Sequence, residues 1–208
     1  MTKIKAILFD MDGVLVDARD WHYEALNYAL KNFGVEINEY DHEAIYDGLP
    51  TKEKLKMLTK QGKLPEGLHY IIGELKQQKT RKLIELKCKP IYDIELIFHN
   101  LKSKGYKIGL CSNSIKSTIF RMMELSNLIN FFDVILSNED VNNSKPDPEI
   151  YINAMLKLNI KPDETLIVED NENGIKAAKS SGANLLTVKN PYELNWNLFE
   201  EFLNKLNK

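Results

Sequence analysis

Five short apolar runs punctuate the chain: Ile4–Phe9, Lys107–Cys111, Asp133–Leu136, Thr165–Val168 and Leu185–Val188. Each is too short for a helix, rich in branched residues and bounded by polar residues, the signature of a buried strand. Helical patterns separate the later runs. Ile94, Ile97, Phe98 and Leu101 recur at helical spacing and stop near Gly105, and Ile119, Met122, Met123 and Leu125 form a second face. Pro148 sits at a first helical turn with Asp147 as its cap, and Asn171 to Ser181 gives a further helix ended by Gly182. The chain then closes on an amphipathic helix within 195–208, around Leu198, Phe202 and Leu206. Strand and helix in alternation predict an α/β core with a parallel sheet.

The first run breaks that rhythm, because roughly ninety residues separate it from the second. Trp21–Phe33, Thr51–Gln61 and Pro65–Lys87 carry apolar residues every three or four positions, and no convincing strand interrupts them. A simple crossover does not need that length. The expectation is an inserted helical domain over 18–88, set into a core of 1–17 and 89–208, with hinges at Asp17–Ala18 and Lys89–Pro90.

Composition narrows the class. With 208 residues, 43% of them hydrophobic, the chain can bury one good core and a smaller unit. Its formal charge of −2 argues against a nucleic-acid partner. The charge is uneven, however: residues 51–89 hold a net of +7, leaving −9 for the rest. Most of those lysines read as solvated helix faces, and the sharper reading is a basic cover that draws anions toward an acidic, cation-binding core. Cys88 and Cys111 are too few for a disulfide scaffold and suit a reducing cytoplasm. The first apolar run is too short for a signal or membrane helix, so no membrane partner is expected.

Candidate chemistry gathers where the strands end. In Phe9-Asp10-Met11-Asp12-Gly13 two carboxylates follow a strand, and period-two alternation sends Asp10 and Asp12 to the same side. Adjacent carboxylates repel, so a cation or a proton-transfer role must compensate. Alone, the pair also fits a plain acidic turn. After the second strand, Cys111-Ser112-Asn113-Ser114 offers a hydroxyl and backbone N–H groups suited to a phosphate oxygen, although Ser112 alone fits an ordinary turn. After the third, the prolines of Ser144-Lys145-Pro146-Asp147-Pro148 stiffen the backbone that carries Lys145. After the fourth, Val168 runs directly into Glu169 and Asp170. Asp170 could simply cap the next helix. Clustered acid at a strand end also suits Mg²⁺, which takes few protein oxygens and keeps room for water and a phosphate.

Taken in order, the Asp-x-Asp-Gly, Ser-Asn, Lys-Pro-Asp-Pro and Glu-Asp-x-x-x-Gly elements resemble those of the haloacid dehalogenase superfamily. The β-phosphoglucomutase-like group, with a helical cap inserted after the first motif, is the most similar. The resemblance implies a Rossmann-like, doubly wound parallel sheet and a Mg²⁺-dependent phosphotransferase. It makes Asp10 the nucleophile that becomes an aspartyl-phosphate and Asp12 the general acid/base, whose backbone carbonyl also faces the metal. Ser112, Asn113 and Lys145 would hold the transferring phosphoryl group. Asp10, Glu169 and Asp170 would complete the metal site.

The resemblance also assigns substrate-facing roles in the cap to His22, Gly48 and Lys52. Sugar phosphomutases of the group carry an arginine just after this glycine turn, where this chain has Thr51 followed by Lys52. A lysine cannot reproduce a bidentate guanidinium clamp, although Lys79, Arg81 or Lys82 offers alternative charge. The expectation is therefore a phosphatase for a small phosphorylated metabolite such as a sugar or polyol phosphate, acting as a monomer or weak homo-oligomer. A sugar phosphomutase and a non-catalytic binding protein on the same fold stand as alternatives.

Overall fold

The computed structural model describes residues 3–207, which fall into two compact units: 3–17 with 89–207, and Ala18–Cys88. The larger unit is built on a five-stranded parallel sheet in the order β3-β2-β1-β4-β5. Its strands are β1 (Ala6–Phe9), β2 (Lys107–Cys111), β3 (Val134–Leu136), β4 (Thr165–Glu169) and β5 (Asn184–Thr187). All five fall on the apolar runs. The run beginning at Ile4 enters the ladder one residue before β1, where the Lys5 amide donates to the Glu164 carbonyl (2.8 Å). Asp133 stays outside β3 because its carboxylate accepts the Ile108 amide at the mouth of the pair (2.8 Å).

Helices cover both faces, and the sheet's side-chain alternation decides which residue meets which cover. Phe9 stacks on Phe98 of α5 (Tyr92–Ser103) with centroids 4.9 Å apart, and on Phe199 of α9 (Trp196–Leu206) at 6.0 Å. Its neighbour Leu8 points the other way. With Ile167 it joins a buried cluster containing Ile150, Tyr151 and Ala154 of α7 (Glu149–Leu158) and Ala177 of α8 (Glu172–Ser180). Emptying such a position, Phe9→Ala for example, costs about 3–5 kcal/mol. The sheet is therefore doubly wound. The remaining core helix, α6 (Lys116–Leu125), follows β2. Helix α7 begins one residue later than the sequence pattern suggests: Pro148 is the N-cap, and Asp147 accepts the Glu149 amide at 2.9 Å.

The smaller unit is wholly helical: α1 (Arg19–Lys31), α2 (Glu39–Asp41), α3 (Thr51–Lys60) and α4 (His69–Lys87), with a π-turn at His42–Tyr46 and a 3₁₀ turn at Glu66–Leu68. Leu26, Leu30, Tyr46, Leu58 and Ile72 lie in its core. Buried Asn27 pins the loop after α1 by donating to the Ile37 carbonyl (2.7 Å) and accepting the Ile37 amide (2.9 Å). Glu24 on α1 takes Lys79 (2.8 Å) and Lys87 (3.1 Å) from α4, so part of the basic excess is spent inside this unit. No helix among the described residues is long and apolar enough to cross a membrane.

Candidate active site

The sheet order makes the site. The chain leaves β1 toward β2 and β3 on one side, then returns to β4 and β5 on the other, so β1 and β4 flank the switch point where open α/β sheets bind ligands. Phe9 pairs with Val168, and the Asp10 amide continues the ladder to the Val168 carbonyl (3.0 Å). Asp10 and Glu169 are thus neighbours across two strand ends. Leu8 and Ile167 face α7 and α8, so two residues later Asp10 and Glu169 do too.

Ligand oxygens of Asp10, Glu169 and Asp170 lie within 4.8 Å of one another. Asp10 is 4% exposed and Glu169 fully buried. Burial first, then the charges of Glu169, Asp170 and Asp12, push the Asp10 carboxyl well above the usual carboxylate range, and Lys145 pulls against them. Three crowded carboxylates offer hard oxygen donors of the kind that could hold a divalent cation.

Lys145 already serves this acid cluster. It is 3% exposed, and its ammonium donates to Asp10 Oδ1 (2.5 Å), Glu169 Oε1 (2.7 Å) and the Cys111 carbonyl (2.8 Å). Burial opposes its charge, but the two carboxylates outweigh that and hold it protonated. The loop bearing it contains a cis Lys145–Pro146 peptide bond.

Ser112, buried at the end of β2, donates its amide to Leu136 (3.1 Å) and accepts the Ser114 amide on its hydroxyl (3.0 Å). Asn113, expected to touch phosphate, has its amide group on the backbone of Lys145. Asp12 leaves the same strand end as Asp10, and its carboxylate accepts the Ser114 hydroxyl (3.1 Å). It stands outside the group of three converging carboxylates. Gly13 turns the chain with φ +85°, and a Cβ there would lie 2.0 Å from Asp170 Oδ2. Only a glycine lets the backbone come this close.

Within the helical unit, His22 Nδ1 lies 3.4 Å from Lys76 Nζ, and Gly48 takes φ +70° at the end of the π-turn. Lys52 is exposed on α3, whereas Lys54 of the same helix is buried. His42 is also buried, its ring 5.0 Å from that of Tyr23, and its Nε2 has no hydrogen-bond partner.

Two residues make contacts at the site that had no signal in the sequence. The Tyr151 hydroxyl donates to Glu169 Oε1 (2.5 Å), and the Lys145 ammonium lies 4.7 Å from the centre of the Tyr151 ring. Burial pushes the phenol's titration upward, so it remains a donor. Ser114 is the second: it reads as a turn residue, yet it reaches Asp12 across 102 positions.

Residues 7–188 match the family model described as haloacid dehalogenase-like hydrolase. The chain is 31% identical over 179 residues to a phosphorylated carbohydrates phosphatase of Thermotoga maritima, covering 86% of this chain and 82% of that protein. It is 33% identical over 203 residues to a probable pseudouridine-5'-phosphatase of Saccharomyces cerevisiae, covering 90% and 84% respectively. The crystal structure of β-phosphoglucomutase from Clostridium difficile superposes with a TM-score of 0.84 at 27% identity, covering 97% of this chain and 98% of that one. A central strand ending in Asp10, met by Glu169 and Asp170 from the neighbouring strand and by a buried lysine, is thus joined to a match over most of the sequence: the chain belongs to the haloacid dehalogenase-like hydrolases.

Proposed function

We propose that this protein is a Mg²⁺-dependent phosphatase for a small phosphorylated metabolite, a sugar or polyol phosphate being the best fit. The observation that carries the reading is the convergence of Asp10, Glu169 and Asp170 beside a buried lysine, with Asp12 leaving the same strand end. The relatives named as phosphatases support it.

In this reading the Asp10 carboxylate attacks phosphorus, the ester P–O bond breaks, and Asp12 gives a proton to the departing oxygen. Asp12 then takes a proton from water, which displaces Asp10 from phosphorus and restores it. Ser112 and Lys145 orient the phosphoryl oxygens, and Asn113 supports Lys145 from behind. Asp10, Glu169 and Asp170 would hold Mg²⁺, with Asp12 contributing its backbone carbonyl. Bound there, the ion neutralises charge on the transferring group. Substrate choice by the helical unit rests on the resemblance, with His22, Gly48 and Lys52 as the residues to vary. Cys88 and Cys111 are both buried, which is compatible with a cytoplasmic enzyme.

The test is phosphate release from a panel of phosphorylated metabolites, with Mg²⁺ and with chelator. Asp10→Asn should fall by at least ~1,000-fold while its circular dichroism spectrum is retained. Chelator-resistant turnover, or an active Asp10→Asn, removes the reading. The likeness to β-phosphoglucomutase keeps a mutase as the second reading. A bisphosphate activator separates the two: isomerised monophosphate marks a mutase, and steady phosphate release a phosphatase.

A further inference from the structure

The structure assigns to Tyr151 a positioning role: its phenol fixes the Glu169 carboxylate so that one oxygen stays with the protein and the other is presented to the cation. This rests on reading Asp10, Glu169 and Asp170 as the metal group.

Tyr151 carries an oxygen that the core does not need. Tyr151 is fully buried among apolar side chains, where phenylalanine would pack without a polar group to satisfy. Its hydroxyl is held by one acceptor, Glu169 Oε1, at 2.5 Å. The same oxygen accepts the Lys145 ammonium at 2.7 Å. A carboxylate oxygen has two in-plane lone-pair directions, so Oε1 is saturated by these donors. Oε2 accepts the Asp170 amide at 3.1 Å and retains capacity for a further partner.

Rotation of the carboxylate is blocked on the remaining side. A Cβ on Gly174 would lie 1.8 Å from Glu169 Oε1, so the start of α8 is packed against the group. The Tyr151 ring also lies beside the Lys145 ammonium at 4.7 Å, and one side chain thereby orients both partners of the ion pair. Partners of this kind set how well a ligand meets its metal without touching the metal themselves.

The experiment is Tyr151→Phe, which removes one oxygen atom. Manganese affinity is read directly by electron paramagnetic resonance on the full chain without substrate, and Mg²⁺ activation is read in parallel. Both the manganese Kd and the Mg²⁺ concentration for half-activation should rise by about 10–100-fold, with kcat at saturating Mg²⁺ close to wild type. On a Glu169→Gln background the same substitution should change manganese affinity less than twofold, because the phenol acts through that carboxylate. An unchanged manganese Kd in folded Tyr151→Phe, or an equal loss on both backgrounds, overturns the assignment and leaves Tyr151 a packing residue. The metal reading fails separately: wild-type protein that binds no manganese, or an Asp170→Asn variant that binds it normally, sinks the site itself.

Discussion

Asn113 brackets the backbone of Lys145: its Oδ1 accepts the Lys145 amide at 3.1 Å, and its Nδ2 donates to the Lys145 carbonyl at 3.3 Å. The turn after β2 and the loop before α7 are therefore joined at the residue whose ammonium reaches Asp10 and Glu169. Asn27 clasps Ile37 in the same manner in the helical unit. An asparagine amide suits this work because it presents a donor and an acceptor side by side.

Asn113→Ala removes both contacts and leaves two backbone groups to find new partners. We expect a stability loss of about 1–3 kcal/mol by urea denaturation. With Lys145 displaced, kcat on an aryl phosphate should fall by about 10–100-fold. A variant with normal kcat would show that the lysine is positioned without the clasp.

Lys145→Met leaves Asp10 and Glu169 buried with no ammonium between them. Breaking a buried pair from one side costs about 3–5 kcal/mol. Mg²⁺ should recover part of that loss, so the rise in melting temperature on adding Mg²⁺ should be larger in the variant than in wild type. Equal rises would mean that lysine and cation do not share the same carboxylates.

Much of this arrangement is legible in the sequence, for physical reasons that also mark where it stops being so. Buried parallel strands must be apolar on both faces, so Ile7 to Phe9 and Leu166 to Val168 stand out as runs. The acids appear at once because Asp10 and Glu169 interrupt those runs at their ends. Asn113 is different: its partner lies 32 positions away, and a polar residue after a strand reads equally as a ligand for phosphate. Tyr151 hides in an apolar helix face, since periodicity counts its ring and ignores its oxygen. The segment 39–46 escapes notice because its helical pieces are only three and five residues long, one of them a π-turn with no stable period.

Gly13→Ala tests the approach of the first loop to Asp170. The left-handed backbone alone costs an alanine about 1–2 kcal/mol. The larger effect should come from the Cβ, which meets Asp170 Oδ2 at 2.0 Å and must displace it. Manganese affinity should fall together with activity. Wild-type affinity in this variant would take Asp170 out of the site.

His42 gives a pH dependence in the helical unit. Burial, then the charges of Lys54, His22 and Lys76, lower its titration to about 3 from 6.5. A base whose folded titration is depressed contributes stability that is fully present above the unfolded value and is lost as pH falls toward the folded one. For one proton the loss is about 1.4 kcal/mol per pH unit between those limits. Denaturation of wild type and His42→Gln at pH 7, 5 and 4 should show the wild type losing stability more steeply. Parallel profiles would mean that this imidazole does not titrate on unfolding.

The order β3-β2-β1-β4-β5 has a consequence for a chain emerging from the ribosome. The first strand acquires a neighbour on one side from β2, about a hundred residues on, while its other margin waits for β4 at Thr165–Glu169. Until that stretch is synthesised, one border of the central strand stays open to pairing with foreign backbone. Glu169 and Asp170, proposed above as metal ligands, are also missing from any shorter nascent polypeptide. If these carboxylates hold the cation as proposed, it can be loaded only after Asp170 has been synthesised.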